Sequence, residues 1–264
     1  MPVENWGTYR DANRKLWEQW TSLRCTPGFQ QVEAFLRGED HLQDFEIEEV
    51  GDVAGKRLLH LQCHFGLDTM SWARRGAIAT GVDFSPRAIE TARSLATESS
   101  IEAEFVCSDV LELPDNLGGS FDIVYTSFGV LAWLSDLDRW ARVVAHFLEP
   151  RGTFYIAEYH PITYVFDDQN ETEPRVRHPY FPREEPIEFH IGGQVEYGWP
   201  YSMGSVVSAL VGAGLQIEFL HEFDFSESQN LRFLRQGEDG RWRLPETQEG
   251  ELPLLFSIRA IGAG

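Results

Sequence analysis

Apolar positions along the chain fall into two rhythms. Between residues 6 and 38 they recur three to four apart, with Trp17, Trp20 and Leu23 in one run and Val32, Phe35 and Leu36 in the next, which predicts two amphipathic helices. From residue 56 short apolar runs alternate with helical ones. Arg57 to Leu61, Ile78 to Val82, Glu104 to Cys107, Phe121 to Thr126 and Thr153 to Glu158 read as strands. Leu67, Met70 and Ala73 mark a helix that Gly76 ends, and Ile89, Ala92 and Leu95 mark a second, capped by Ser85 with Pro86 at its first position. A third opens at Ser135, with Asp136 and Asp138 in the first turn, where the helix dipole favours carboxylates. This alternation predicts an α/β, doubly wound, mostly parallel sheet, because parallel neighbours need crossovers and helices supply them.

The rhythm breaks after residue 158. Residues 159 to 201 are rich in Tyr, Phe, His and Pro, and Val195, Tyr197 and Trp199 alternate as a strand does. Val206 to Ala213 resumes as a helix. Gln216 to Phe225 and Leu254 to Ile261 read as a closing antiparallel pair, joined by a polar loop over 226 to 251, because no crossover helix separates them. One domain is expected over 1–264. Its parts are an N-terminal helical segment (1–54), a core (55–158), an aromatic-rich insertion (159–201) and a C-terminal helix and strand pair (202–264).

Composition narrows the function. Of 264 residues, 42 are Asp or Glu and 22 Lys or Arg, for a formal net charge of -20. A surface this acidic repels phosphate backbones and anionic lipid, so neither nucleic acid nor a membrane is an expected partner. No apolar run has the length of a membrane span and the first residues have no apolar leader, so a cytoplasmic location is expected. The three cysteines, Cys25, Cys63 and Cys107, contain no CxxC pair, which argues against a disulfide framework or a structural zinc site.

In an open α/β sheet the ligand lies at the carboxyl ends of the strands. The first strand runs into Gln62-Cys63-His64-Phe65-Gly66, and the second ends in Asp83, where a carboxylate can accept from ribose hydroxyls. A pyrophosphate requires the backbone to approach closely through G-x-G-x-x-G, but here Gly66 stands with the bulky Gln62 and His64. A nicotinamide-dependent oxidoreductase therefore fits poorly, and a nucleoside cofactor without phosphates fits better.

Over roughly residues 55 to 262 the chain resembles the class I S-adenosylmethionine-dependent methyltransferases. His60-Leu61-Gln62-Cys63-His64-Phe65-Gly66 resembles the family's first motif, an acidic residue followed by hydrophobic-Gly-Cys-Gly-x-Gly, with the acid and two glycines replaced. Gly81-Val82-Asp83-Phe84-Ser85, Phe105 to Val110, Phe121 to Tyr125 and Leu148 to Gly152 resemble the next motifs in order. The resemblance implies a Rossmann-like sheet of seven strands with the last antiparallel, and S-adenosylmethionine as cofactor. It also implies that Asp83 binds the ribose, Phe84 packs on adenine, Asp109 accepts from the adenine amino group and the Val110 amide meets the ring. Gln62, Cys63, His64 and Gly66 would form the cofactor loop, with Ser127 and Phe128 after strand four beside it. Cys63 reads as a small buried hydrophobe, since nothing near it in sequence lowers its pKa.

Methyl transfer from a sulfonium is an in-line displacement, for which the protein supplies alignment and a dry site. An acceptor hydroxyl or ammonium must also lose a proton. His160, after strand five, is the first candidate base because its unperturbed pKa lies near neutrality; His178 and His190 are further candidates. Trp133, Tyr159, Tyr197 and Trp199 are expected to wall a pocket for a small organic acceptor, methylated on O or N, with a small auxiliary core covering the sheet edge as the other reading of the aromatic insertion. No metal is implied, because these histidines have no ligand-spaced carboxylate or Cys partners. Thr126-Ser127-Phe128-Gly129 stands where DNA base methyltransferases carry an Asn/Asp-Pro-Pro-Tyr type motif, which argues against that substrate. The lost glycines keep a competing class open: a non-catalytic cofactor-binding or regulatory protein. Residues 6 to 23 are expected either to fold as part of a lid over the strand ends, bringing Tyr9, Trp17 or Trp20 near the cofactor, or to pack on the back of the sheet, since an amphipathic segment must bury its stripe somewhere.

Overall fold

The structure is a computed structural model, and it describes residues 6–22, 27–181, 185–191, 194–246, 248 and 250–262. Helices α1 (Trp6–Ser22), α2 (Pro27–Leu36) and α3 (Asp44–Val50) precede strand β1 (Arg57–Leu61). Then follow α4 (Leu67–Arg74), β2 (Ile78–Asp83), α5 (Pro86–Ser99), β3 (Glu104–Cys107), β4 (Phe121–Thr126), α6 (Leu137–Phe147) and β5 (Leu148–Tyr159). A hairpin of β6 (Ile187–Ile191) and β7 (Gln194–Gly198) lies within the insertion, before α7 (Met203–Gly212) and β8 (Gln216–Phe223). Short strands β9 (Phe225–Ser226), β10 (Arg235–Gln236) and β11 (Trp242–Arg243) form a small sheet, and β12 (Leu255–Ile261) closes the chain.

The main sheet has the order β3-β2-β1-β4-β5-β12-β8. Strands β3, β2, β1, β4 and β5 pair in parallel, and β12 runs antiparallel to both neighbours. The order reverses between β1 and β4, so a crevice opens there at the carboxyl ends. Both faces are covered. Leu59, Leu61, Val124, Phe154 and Ile156 pack with Trp140, Val144 and Phe147 of α6, whereas Leu58, Ile123, Tyr125 and Tyr155 pack with Phe45 and Trp72. Burial on both faces explains why these strands read as continuous apolar runs rather than as alternating ones.

Several boundaries differ from the sequence reading. Asp136, not Ser135, caps α6, its carboxylate accepting from the Arg139 amide at 2.8 Å, and β5 begins at Leu148. Ser85 caps α5 as expected, accepting from the Ala88 amide at 3.2 Å. Helix α3 had no sequence reading because its seven residues are mostly acidic. Its start is a capping box in which Gln43 and Glu46 satisfy each other's backbone, and Glu46 turns inward. The stretch 226 to 251 is not a plain polar loop: Leu231, Phe233, Leu234 and Leu244 form a small core with Phe166 and Leu254.

Candidate functional site

The loop after β1 is built on three left-handed residues: Gln62 at φ 58°, His64 at φ 52° and Gly66 at φ 79°. The first two stand where the family's motif carries glycines, so the chain makes the glycine turn with L side chains, at about 1–2 kcal/mol each. Specific bonds hold it. The Cys63 amide donates to the Val82 carbonyl at 2.8 Å, the His64 amide to Asp83 Oδ2 at 2.9 Å, and the Gln62 side chain to the Val130 carbonyl at 3.2 Å. At Gly66 no such substitution is open, because a Cβ there would lie 2.5 Å from the Phe105 ring. Gly66→Ala is therefore expected to cost about 2 kcal/mol in urea denaturation, whereas His64→Gly leaves stability unchanged or raises it.

This loop forms one wall of a cavity of about 560 Å³ at the carboxyl ends of the strands. On the β2–β3 side lie Asp83, Phe84, Asp109 and Val110. Asp83 is buried, and its carboxylate accepts from the His64 and Ser85 amides; burial pushes its pKa up to about 6 against those donors. Asp109 accepts from the Leu111 amide at 2.9 Å and pairs with Arg10 at 3.5 Å. Arg10 and Asn13 of α1 line the same cavity, so α1 covers this end. Asn13 is fastened to the insertion, donating to the Tyr197 carbonyl at 2.7 Å and accepting from its amide at 3.0 Å. The side chains of Trp17 and Trp20 lie outside the described residues.

The β4–β5 side is polar and buried. Glu158 accepts from the amides of Gly129, Val130, Leu131 and Tyr159 at 2.5–3.0 Å, which fixes the loop after β4; burial raises its pKa and these amides oppose the rise. The Tyr159 hydroxyl donates to Glu227 at 2.5 Å and meets Ser228 at 2.9 Å. Burial raises the Glu227 carboxyl, with the Tyr159 and Ser228 bonds opposing. His41, before α3, bonds through Nδ1 to Asp68 in the first turn of α4, and both line the cavity. Burial opposes charge on His41, but Asp68, Glu227 and Glu46 outweigh it and hold the imidazolium up to about 9. His60 spans Thr69 Oγ1 at 2.9 Å and Ser127 Oγ at 3.2 Å, and burial holds it neutral, with its pKa down to about 4. Burial does the same to His64.

The structure brings Gln62, Cys63, His64, Gly66, Asp83, Phe84, Asp109, Val110, Ser127 and Phe128 to this one cavity, together with Trp133 and Tyr159. It does not bring His160. That ring accepts from the Ile162 amide at 3.1 Å and its Nε2 meets Glu222 at 2.9 Å, so it caps a turn and ties it to β8 rather than serving as a base at the cavity. Tyr197 and Trp199 are a second correction, since neither lines the cavity. Both rings pack on Tyr9, with centroids at 4.7 and 6.0 Å, and so dock α1 against the hairpin. His178 lies beside the Phe189 ring, away from the cavity, and the side chain of His190 is outside the described residues. Among the described residues no His, Cys, Asp and Glu cluster suited to a metal is found, and no helix is long and apolar enough to cross a membrane. The sequence reading missed His41, Asp68 and Glu227, whereas Glu158 stood among the candidates at the end of strand five and is instead engaged by the β4 loop. Of the missed residues only Asp68, two residues beyond Gly66, stood next to a recognisable motif.

Residues 58–152 match the family described as a methyltransferase domain. A ubiquinone biosynthesis O-methyltransferase of Xanthomonas oryzae pv. oryzae is 34% identical over 106 residues, 40% of this chain and 44% of that protein. The chain thus matches less than half the length of such curated relatives. An S-adenosylmethionine-dependent methyltransferase of Mesorhizobium loti superposes with a TM-score of 0.59 at 22% identity, covering 86% of this chain and 99% of that one. The cyclase SpnF superposes at 0.56 with 20% identity, covering 83% and 80%. The sheet, with its strand order and antiparallel last strand, is the Rossmann-like fold of class I methyltransferases.

Proposed function

We propose that this chain, whose residues 58–152 match the methyltransferase-domain family, is an S-adenosylmethionine-dependent methyltransferase acting on an oxygen or nitrogen of a small organic molecule. The observation that carries the reading is the single cavity in which Asp83 and Asp109, at the ends of adjacent strands, stand beside a β1 loop that keeps its turn without two of its glycines. The chemistry of these donors fits a nucleoside. Asp83 retains lone pairs for ribose hydroxyls, Phe84 and Val110 flank a space for a flat ring, and Asp109 accepts. Gln62 Oε1 adds a buried acceptor with no partner among the described residues.

Bound there, S-adenosylmethionine supplies a methyl group on a sulfonium. The chain's part is alignment and exclusion of water, with α1 fastened over one end and the β4 loop pinned by Glu158. Phe128, Trp133, Tyr159, Glu227 and Ser228 wall the acceptor side. Glu227, steadied by the Tyr159 hydroxyl, is the group that takes the acceptor's proton. The non-catalytic alternative draws on the replaced glycines, and the cyclase with this fold is a reminder that a fold alone does not choose a reaction. The preserved turn weighs against it.

Asp83→Asn is the direct test, because asparagine keeps one acceptor for the backbone amides. It is expected to weaken S-adenosylmethionine binding 10- to 100-fold in calorimetry, the loss of one charged contact at about 1–3 kcal/mol. Unchanged affinity removes Asp83 from the site. Binding without any methyl product, across a screen of amines, phenols and carboxylic acids, favours the non-catalytic reading.

A further inference from the structure

The motif that ends β1 has lost its carboxylate, and its replacement cannot stand in for it. His60 is 1% exposed, and both of its ring nitrogens are spent on Thr69 and Ser127. A donor that carries an ammonium then lacks its counter-charge at the end of β1. The missing charge reappears nearby. Asp68 lies in the first turn of α4, two residues after the β1 loop, with its side chain 12% exposed and opening on the same cavity. It bonds to His41 through Oδ1 and also accepts from Ser127, and the remaining lone pairs of the carboxylate stay able to accept. His41 is 30% exposed, and among the described residues no partner engages its Nε2. An anion and a cation thus stand side by side in one buried wall, with the unpartnered Gln62 Oε1 on the same cavity.

Strand order gives the pair its place. Asp83 and Asp109 end β2 and β3, whereas Asp68 reaches toward Ser127 at the end of β4, on the other side of β1. Three strand spacings separate β3 from β4, roughly 14 Å, which an extended nucleoside with an amino-acid tail can bridge. The only adjacent ammonium and carboxylate on such a donor are at that tail.

We infer that Asp68 and His41 bind the amino-acid end of the methyl donor, Asp68 taking the ammonium in place of the carboxylate absent from β1 and His41 the carboxylate. This rests on the methyl-donor reading above and adds to it where the donor's zwitterion is held. The groups facing His41 are Asp68 from α4, Glu46 from α3 and Glu227 after β9, so its imidazolium is the cation of an otherwise acidic wall.

Two ligands separate the possibilities by calorimetry: S-adenosylhomocysteine, which carries the zwitterion, and methylthioadenosine, which has the same nucleoside without it. Native protein should bind the first at least tenfold more tightly. Asp68→Asn and His41→Gln should each abolish most of that preference while methylthioadenosine affinity stays near native in protein that circular dichroism shows to be folded. Asp83→Asn should weaken both ligands alike. The inference is overturned if either folded variant keeps the preference, or loses both ligands equally. If Asp68→Asn does not fold, the His41→Gln ratio decides, since His41 sits in a loop at the cavity mouth. Native protein that binds neither ligand defeats the methyl-donor reading, and this inference with it. Native protein that binds both equally defeats this inference alone.

Discussion

Glu158→Ala is expected to lower the unfolding free energy by about 3–5 kcal/mol and to disorder the loop that follows β4. Its two oxygens collect four amide donors, three of them in consecutive residues of that loop, in a place only 1% exposed. Removing the side chain leaves those donors in a space with no substitute acceptor. Because Val130 also accepts from the Gln62 side chain, the damage passes to the β1 loop. Glu158→Gln retains one acceptor oxygen and should cost about half as much. Chemical denaturation gives the stability term, and amide exchange of residues 129 to 131 reads the loop. Native protection there in the alanine variant would show that other packing holds the loop.

Stability is expected to fall by about 2–4 kcal/mol between pH 6.5 and 9, against the common pattern in which folded proteins are stable to mild alkali. Glu46 and His41 are the causes. The Glu46 carboxyl is buried, accepts from the Tyr125 hydroxyl at 2.6 Å and the Gln43 amide, and is pushed up to about 8, first by burial and then by Asp68. The folded chain therefore keeps a proton that the unfolded chain releases near 4.5, so stability declines as pH rises toward 8. His41 acts in the same direction: its share is present below 6.5 and is lost as pH rises through about 9. His60 and His64, both depressed to about 4, add stability as pH rises from 4 to 6.5 and are silent above it. Urea midpoints measured across this range should show the decline, and Glu46→Gln should make it shallower below pH 8, leaving the His41 share. A flat wild-type profile would place Glu46 in water.

The β1 loop shows where sequence reasoning stops. Gln62 and His64 looked like damage to a glycine motif, because local sterics put an L residue at a disadvantage in a left-handed turn. In the fold that disadvantage is offset by amide bonds to Val82 and Asp83, whose carboxylate serves the loop as well as the cavity. His160 misled in the opposite way. A histidine beside the last parallel strand has suitable chemistry, but its partners, Ile162 and Glu222, come from a turn and from a strand more than sixty residues away.

The sequence alone determined the repeating strand and helix order, the antiparallel close and the residues at the ends of β1 to β4, because these depend on apolar period, capping and short-range turn chemistry. Those ends became one cavity wall as expected, since parallel strands in a wound sheet must finish on the same side. Tertiary structure alone decided which residues meet that wall from elsewhere: Arg10 and Asn13 of the expected α1 cover, His41 from the loop before α3, Glu227 from beyond β8, and the inward turn of Glu46. It also decided that Tyr197 and Trp199 serve as a dock for α1 rather than as a pocket. Each of these contacts joins residues far apart in the chain, where the choice of partner is set by packing and by the satisfaction of buried charge, and neither leaves a periodic trace in the sequence.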